Sequence, residues 1–249
     1  MVNLDMSKYS IVTLDEVHST NGYALENMRF LDDKTVIYTQ HQSSGRGRYN
    51  RKWLGDDSGN IYMSIVLKPD EINEYPFPNL TQYLSVVLCN ILQKDFNFNP
   101  VIKWPNDILV NQCKISGILA ESYMENNSIK GVVLGLGLNV NLKQETIDKI
   151  DQKATSISVL KNKYFDCDKI IRRICDEFFD GYEQFVKNGF PYIKDEYIQR
   201  CFFIGQNIRI SENGEKKEYF AESIDDNGFL TVKNEFGNRS KIITGDLQC

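Results

Sequence analysis

Histidine is almost missing from this chain, with only His18 and His41, and none of the six cysteines forms a Cys-x-x-Cys pair. Cys89, Cys113, Cys167, Cys175, Cys201 and Cys249 are scattered, which argues against a zinc site. No apolar stretch reaches the roughly 20 residues a membrane span requires. No cationic segment with an apolar run opens the chain as a secretory signal would. A reduced, cytoplasmic protein with no membrane partner is expected. Basic charge is not in excess either: 29 Lys and Arg face 34 Asp and Glu, a formal net charge of −5. Coating nucleic acid needs surplus cations to displace counterions from phosphates, so that class of function is disfavoured and local basic loops are left to serve small anions.

Against this acidic background, residues 45 to 53 read Gly-Arg-Gly-Arg-Tyr-Asn-Arg-Lys-Trp. Glycine lets backbone N–H groups come close to an anion, arginine offers planar forks for carboxylate and phosphate, and an indole covers apolar or aromatic groups. A solvated basic loop, or an RNA-binding patch of Arg-Gly type, is the plainer account of this segment taken alone.

At 249 residues the chain can bury one large core, or a large and a small one. The runs 10–14, 35–39, 61–67, 101–103, 108–111, 115–123 and 129–140 suit strands. Leu80, Tyr83, Leu84, Val87, Leu88, Ile91 and Leu92 have the spacing of an amphipathic helix over 79–96. Similar patterns predict helices over 168–186 and 192–201, and one over 21–31 with Ser19 or Thr20 as its cap. Helices interrupt strands rather than alternating with them, which favours an α+β fold. After Phe203 short strands are punctuated by Glu212-Asn213-Gly214, Asp225-Asp226-Asn227-Gly228 and Phe236-Gly237-Asn238, a turn spacing that implies a small β-barrel. The division is placed near Phe202, giving domains 1–202 and 203–249.

Several further segments carry chemistry. Lys103-Trp104-Pro105-Asn106-Asp107 is either a plain turn or a rigid mount for polar groups, since proline fixes its own φ and extends the residue before it. Lys114, alone, reads as a surface lysine; Ser116 and Gly117 follow it at a strand's start. Gly135-Leu-Gly-Leu-Asn-Val-Asn alternates with period two, so Gly135, Gly137, Asn139 and Asn141 share a nearly bare face. Such a face marks close approach of a ligand or backbone, or tight packing of a neighbouring helix. The third glycine and following helix of a dinucleotide fingerprint are absent. Ser19, Thr20 and Gln42 offer donors and acceptors suited to a compact uncharged head group such as a ureido ring.

In this order, Ser19-Thr20-Asn21, Gln42, the Gly45–Trp53 loop, Lys103–Asp107, Lys114–Glu121 and Gly135–Asn141 resemble the catalytic domain of the biotin protein ligases, also called biotin–[acetyl-CoA-carboxylase] ligases or holocarboxylase synthetases. The likeness runs by motif from about Tyr9 to Asn141 and more weakly to the C-terminus. It implies a mixed-sheet catalytic domain like that of class II aminoacyl-tRNA synthetases and a C-terminal SH3-like β-barrel. It also implies an enzyme that uses ATP and magnesium to make biotinyl-5′-adenylate, then transfers biotin to a lysine of a biotin carboxyl carrier domain. The early start of the Ser-Thr-Asn segment points to the ligase-only class, without an N-terminal helix-turn-helix and without nucleic acid as partner; homodimerisation stays open.

Carried onto this sequence, the resemblance places biotin on Ser19, Thr20, Asn21, Gln42, Gly45, Arg46, Lys114 and Gly117. Arg46 would touch the biotin carboxylate or the adenylate phosphate, Arg48 and Arg51 would close from the pyrophosphate side, and Trp53 would wall the acyl or adenine pocket. Lys103, Asn106 and Asn139 would meet the nucleotide, and Asp107 the nucleotide or its magnesium, whose ligands are not assignable. Lys114 is the expected main electrostatic catalyst, with Arg48 and Asp107 beside it, and Glu121 a structural support. The chain departs from the pattern at Tyr49-Asn50, where related loops often carry Arg-Gly, and at Ser44, where a small apolar residue is common. Two rivals stand: a lipoate or octanoate ligase, opposed by the lack of an Arg-Arg-x-x-Gly-Gly-Gly segment, and a non-catalytic nucleic-acid-binding module, opposed by the net charge.

Overall fold

The computed structural model describes residues 8–56, 58–69, 77–212 and 215–248; Asn213 and Gly214 of one expected turn, and Cys249, lie outside them. In chain order the elements of the larger unit are β1 (Ser10–Thr13), α1 (Thr20–Glu26), β2 (Thr35–Thr39), β3 (Gly45–Arg46), β4 (Lys52–Trp53), β5 (Ile61–Leu67), α2 (Phe77–Phe96), β6 (Val101–Lys103), β7 (Asp107–Val110), β8 (Cys113–Glu125) and β9 (Ser128–Leu138). After these come α3 (Gln144–Ile147), α4 (Ile157–Lys161), α5 (Cys167–Asn188) and α6 (Lys194–Arg200). Seven strands form one sheet in the order β1-β2-β5-β9-β8-β7-β6. β1 lies parallel to β2 and the other pairs are antiparallel, so the fold is α+β with a mixed sheet.

β5 is buried at every position, and the two-residue period of a strand sorts its side chains between two faces. Val66 joins Ile37, Val133, Ala24 and Met28 under α1. Met63, Ile65 and Leu67 join Val36, Leu134 and the apolar stripes of α2 and α5 on the other side. There Tyr83 stacks on Phe185 at 4.5 Å and its hydroxyl donates to the Phe178 carbonyl at 2.6 Å, locking the two long helices together. Among the described residues no helix is long and apolar enough to cross a membrane.

Helix α1 stops at Glu26, short of the expected Leu31. At Asn27 the backbone leaves helical values (φ −102, ψ 9), and both its side-chain amide, at 2.9 Å, and its backbone N–H, at 3.0 Å, donate to the Tyr23 carbonyl. The expected helix over 192–201 begins as a short 3-10 turn over Phe190–Tyr192 before α6.

The smaller unit holds β10 (Asn207–Glu212), β11 (Glu215–Ile224), β12 (Leu230–Lys233), β13 (Arg239–Ile242) and β14 (Asp246–Gln248), in the antiparallel order β13-β12-β11-β10-β14. Its apolar face, with Ile210, Ala221, Leu230, Val232 and Leu247, is continuous with the main core. The β11–β12 turn is anchored on α2: Asn79 donates to the Asn227 carbonyl and Gln82 to the Gly228 carbonyl, both at 2.9 Å. Gly228 has φ +78, and a Cβ there would lie 2.3 Å from the Asn79 amide, so only glycine fits.

Candidate active site

A cavity of about 610 Å³ opens over the centre of the large sheet, in the size range of a small-molecule site. Its floor is made by β8 and β9 where Gly117 pairs with Gly137 and Leu119 with Gly135. The Trp53 indole, carried by the β3–β4 ribbon, lies flat over this floor. A Cβ on Gly137 would be 2.6 Å from Trp53 Cε2, and one on Gly117 2.7 Å from Cζ3. Glycine is therefore required here for close approach by an aromatic ring. At Gly135 the intruder would be the Asn21 side chain of α1, at 2.2 Å, so that glycine serves helix packing. The helix-packing reading of the glycine-rich strand is met at Gly135, whereas at Gly137 the close neighbour is the chain's own Trp53 side chain rather than a ligand or backbone.

One end of the cavity is lined mainly by neutral polar side chains, with a single ion pair at its edge. Ser19 caps α1, its Oγ accepting from the Gly22 N–H at 3.3 Å, which turns the first residues of the helix toward the cavity. Gln42 Oε1 accepts from the Thr20 backbone N–H at 2.9 Å. Ser64 Oγ lies 2.8 Å from Thr20 Oγ1 and 2.5 Å from Asn21 Oδ1. Asn21 Nδ2 donates to Glu121 Oε2 at 2.8 Å, and the same carboxylate receives Arg46 at 3.3 Å.

The other end is charged. Lys114 Nζ stands 2.7 Å from Asp107 Oδ1 and 5.1 Å from the centroid of the Trp53 ring, with most of its side chain buried. A bond from the Lys114 N–H to the Lys153 carbonyl at 2.8 Å fixes the lysine's base against the segment before α4. Trp104–Pro105 is a cis peptide. Asn106 lines the cavity, its Nδ2 donating to the Ile118 carbonyl at 2.8 Å. Arg48 reaches Asn106 Oδ1 at 3.3 Å. Asn139 closes the far wall, its Nδ2 held by the Thr155 carbonyl at 3.0 Å. Between the two ends lie Trp53, Ile118 and the glycine floor, and the Trp53 N–H is buried with no partner among the described residues.

Ser19, Thr20, Asn21, Gln42, Arg46, Arg48, Arg51, Trp53, Asn106, Asp107, Lys114, Gly117 and Asn139 thus share one cavity wall. Two expected residues do not. Lys103 sits on β6, the outermost strand, one strand farther from the floor than β7. Gly45 lies behind the wall, where a Cβ would strike Gln42 Nε2 at 2.6 Å and the Trp53 carbonyl at 2.8 Å; it lets the ribbon pack rather than lining the cavity. Ser64, Asp151, Ala154 and Asp246 were not expected. Ser64 carried a signal, the one small polar side chain inside the run Ile61–Leu67, whereas Asp246 carried none.

Residues 14–139 match the model of the biotin/lipoate A/B protein ligase family. The chain belongs to that family. Among curated members of this ligase family, the bifunctional ligase/repressor BirA of Bacillus spizizenii is 32% identical over 215 residues, which are 86% of this chain and 66% of the relative, so the chain spans just under two thirds of that protein. The biotin–[acetyl-CoA-carboxylase] ligase of Mycobacterium tuberculosis is 29% identical, covering 86% of this chain and 79% of its own length. In fold, the chain superposes on the biotin protein ligase of Aquifex aeolicus, solved with biotin and ATP, with a TM-score of 0.83, 23% identity, and coverage of 96% and 97% of the two chains.

Proposed function

We propose that this chain is an ATP-dependent biotin protein ligase that forms biotinyl-5′-adenylate and passes the biotinyl group to a lysine of a biotin carboxyl carrier domain. The observation that carries the reading is the polarity gradient of one cavity: a neutral hydrogen-bonding end, an apolar aromatic middle and a cationic end. Biotin has the matching order, with a ureido head, an apolar chain and a carboxylate. The same order disfavours an acid with no polar head, because the polar groups of Ser19, Thr20 and Gln42 on the cavity wall would then be covered without gaining a partner.

In the first step a carboxylate oxygen attacks the α-phosphorus of ATP and pyrophosphate leaves. Two anions must be brought together, so cations fixed in a partly dry site offset their repulsion and stabilise charge on the α-phosphate. Lys114 is held for that role by Asp107 and the Trp53 face. Arg48 and Arg51 lie at the same end, while Arg46 is paired with Glu121 beside Asn21, and Asn139 borders the nucleotide wall. In the second step an acceptor amine attacks the acyl carbon, AMP leaves, and no enzyme nucleophile is needed.

Among the described residues no group of three His, Cys, Asp or Glu side chains could cage a metal. Magnesium that arrives on ATP phosphates needs only one or two protein carboxylates, and Asp107 and Asp151 on the cavity wall would hold it. There it would neutralise phosphate charge. By the same reading, residues 1–202 form a class II synthetase-like catalytic domain and 203–249 an SH3-like barrel, and the chain works in the cytoplasm. The test is acid-dependent ATP–pyrophosphate exchange with biotin, lipoate and octanoate in parallel. Exchange with biotin alone is expected; exchange with lipoate or octanoate instead would move the chain to another branch of its family.

A further inference from the structure

The arginine loop is docked beside the C-terminal sheet by the Asp246 carboxylate, the Gly245 carbonyl and the Thr244 hydroxyl. Arg48 and Arg51 lie between β3 and β4, whereas Asp246 opens β14, 198 residues beyond Arg48. Arg48 Nη1 donates to the Gly245 carbonyl at 3.1 Å and reaches Asp246 Oδ1 at 3.4 Å, and its Nη2 donates to Thr244 Oγ1 at 3.2 Å. Arg51 is paired with the other oxygen, Asp246 Oδ2. The Tyr49 ring completes the arrangement, 5.0 Å from the Arg48 guanidinium and 5.8 Å from that of Arg51. Tyr49 has φ +55 and ψ 36, an uncommon backbone for a tyrosine, which places its ring against both cations.

Exposure separates the two arginines. The side chains of Arg48 and Asp246 are 18% and 19% exposed, while that of Arg51 is 67% exposed. One carboxylate shared by two guanidinium groups leaves a positive charge in excess beside the cavity, and Asp246 is itself on the cavity wall. We propose that Asp246 is a positioning residue for the adenylation step: it fastens the loop to the five-stranded sheet so that Arg48 and Arg51 face the phosphate end before nucleotide arrives. Arg48 stays clamped between Asn106 and the Gly245 carbonyl, and Arg51 exchanges Asp246 for a phosphate. The inference rests on the adenylating reading above and adds to it a part for the C-terminal sheet.

The docking is read first on the full, ligand-free chain by limited trypsin cleavage after Arg46, Arg48 and Arg51. Asp246→Asn keeps shape and removes charge; its loop should be cut about tenfold faster, the size of one lost charge-assisted hydrogen bond at a mostly buried group. Asp246→Glu should restore much of the protection. In biotin-dependent exchange, Asp246→Asn should raise the KM for ATP about tenfold and leave the KM for biotin unchanged, since the ureido end is remote from Asp246. Arg51→Ala combined with Asp246→Asn should be no worse than the poorer single variant. Unchanged cleavage and ATP KM in Asp246→Asn, or additive effects in the double variant, would overturn the proposal. A wild-type chain without exchange for any acid would overturn the adenylation reading and the assignment of Asp246 to that step. The trypsin comparison needs no substrate and still reads the docking by itself.

Discussion

Replacing Gly137 with alanine tests the aromatic lid most directly. The new methyl carbon would stand 2.6 Å from Trp53 Cε2 and 2.8 Å from Cζ2, where carbon atoms settle at about 3.5–4.0 Å. The indole must therefore rise by about 1 Å. β9 is held by β5 on one side and β8 on the other, while Trp53 rides on a two-residue strand, so the ribbon yields and the sheet does not. Overpacking of this kind costs about 1–3 kcal/mol, which corresponds to roughly a 5- to 150-fold rise in the KM for biotin. Trp53 and Trp104 are the chain's two tryptophans, and Trp104 is only 2% exposed, so a red shift in emission would report on Trp53. A Gly137→Ala variant with wild-type emission and a wild-type KM would refute the claim that the indole rests on bare glycine.

Other outcomes follow from the same geometry. Lys114→Ala removes the cation 2.7 Å from Asp107 and should lower adenylation by at least about a hundredfold while the far-ultraviolet circular dichroism stays native; a folded variant with unchanged turnover would remove Lys114 from the mechanism. Burial pushes the Cys89, Cys167 and Cys175 thiols up to about 12, so at pH 8 a thiol reagent should label half-buried Cys113 well before these three, and rapid reaction of any of them would contradict the packing. Bonds from Arg239 and Lys233 hold the Glu222 carboxyl down at about 2. A folded-state value below the unfolded one gives a stabilising contribution that is present above about 4.5, the usual glutamate value, and lost as pH falls toward 2. Glu222→Gln should therefore lower the melting temperature at pH 7 and make no difference near pH 2; an equal effect at both would deny the linkage.

The biotin ligase resemblance was legible because its residues sit in short segments whose order survives in one dimension, and the comparisons support that reading. Strand and helix positions were legible for a related reason. Ile61–Leu67 and Asn79–Phe96 carry runs and spacings set by the two faces they must bury. The end of α1 was not, since the apolar spacing runs on past Asn27, where the backbone leaves helical values. Lys103 shows the limit of motif reasoning: it stands beside Asn106 and Asp107 in sequence, yet β6 is the sheet's outer edge and carries it away from the floor.

The sequence by itself determined the α+β class and most of the residues that meet in the cavity, because periodicity and motif order are local properties. Only the tertiary structure decided which glycines admit Trp53 and which admits Asn21, that Lys114 is tied to Asp107, and that Asp246 is paired with Arg48 and Arg51. Those facts depend on contacts between segments far apart along the chain, where no spacing rule operates and chain path alone sets the distance.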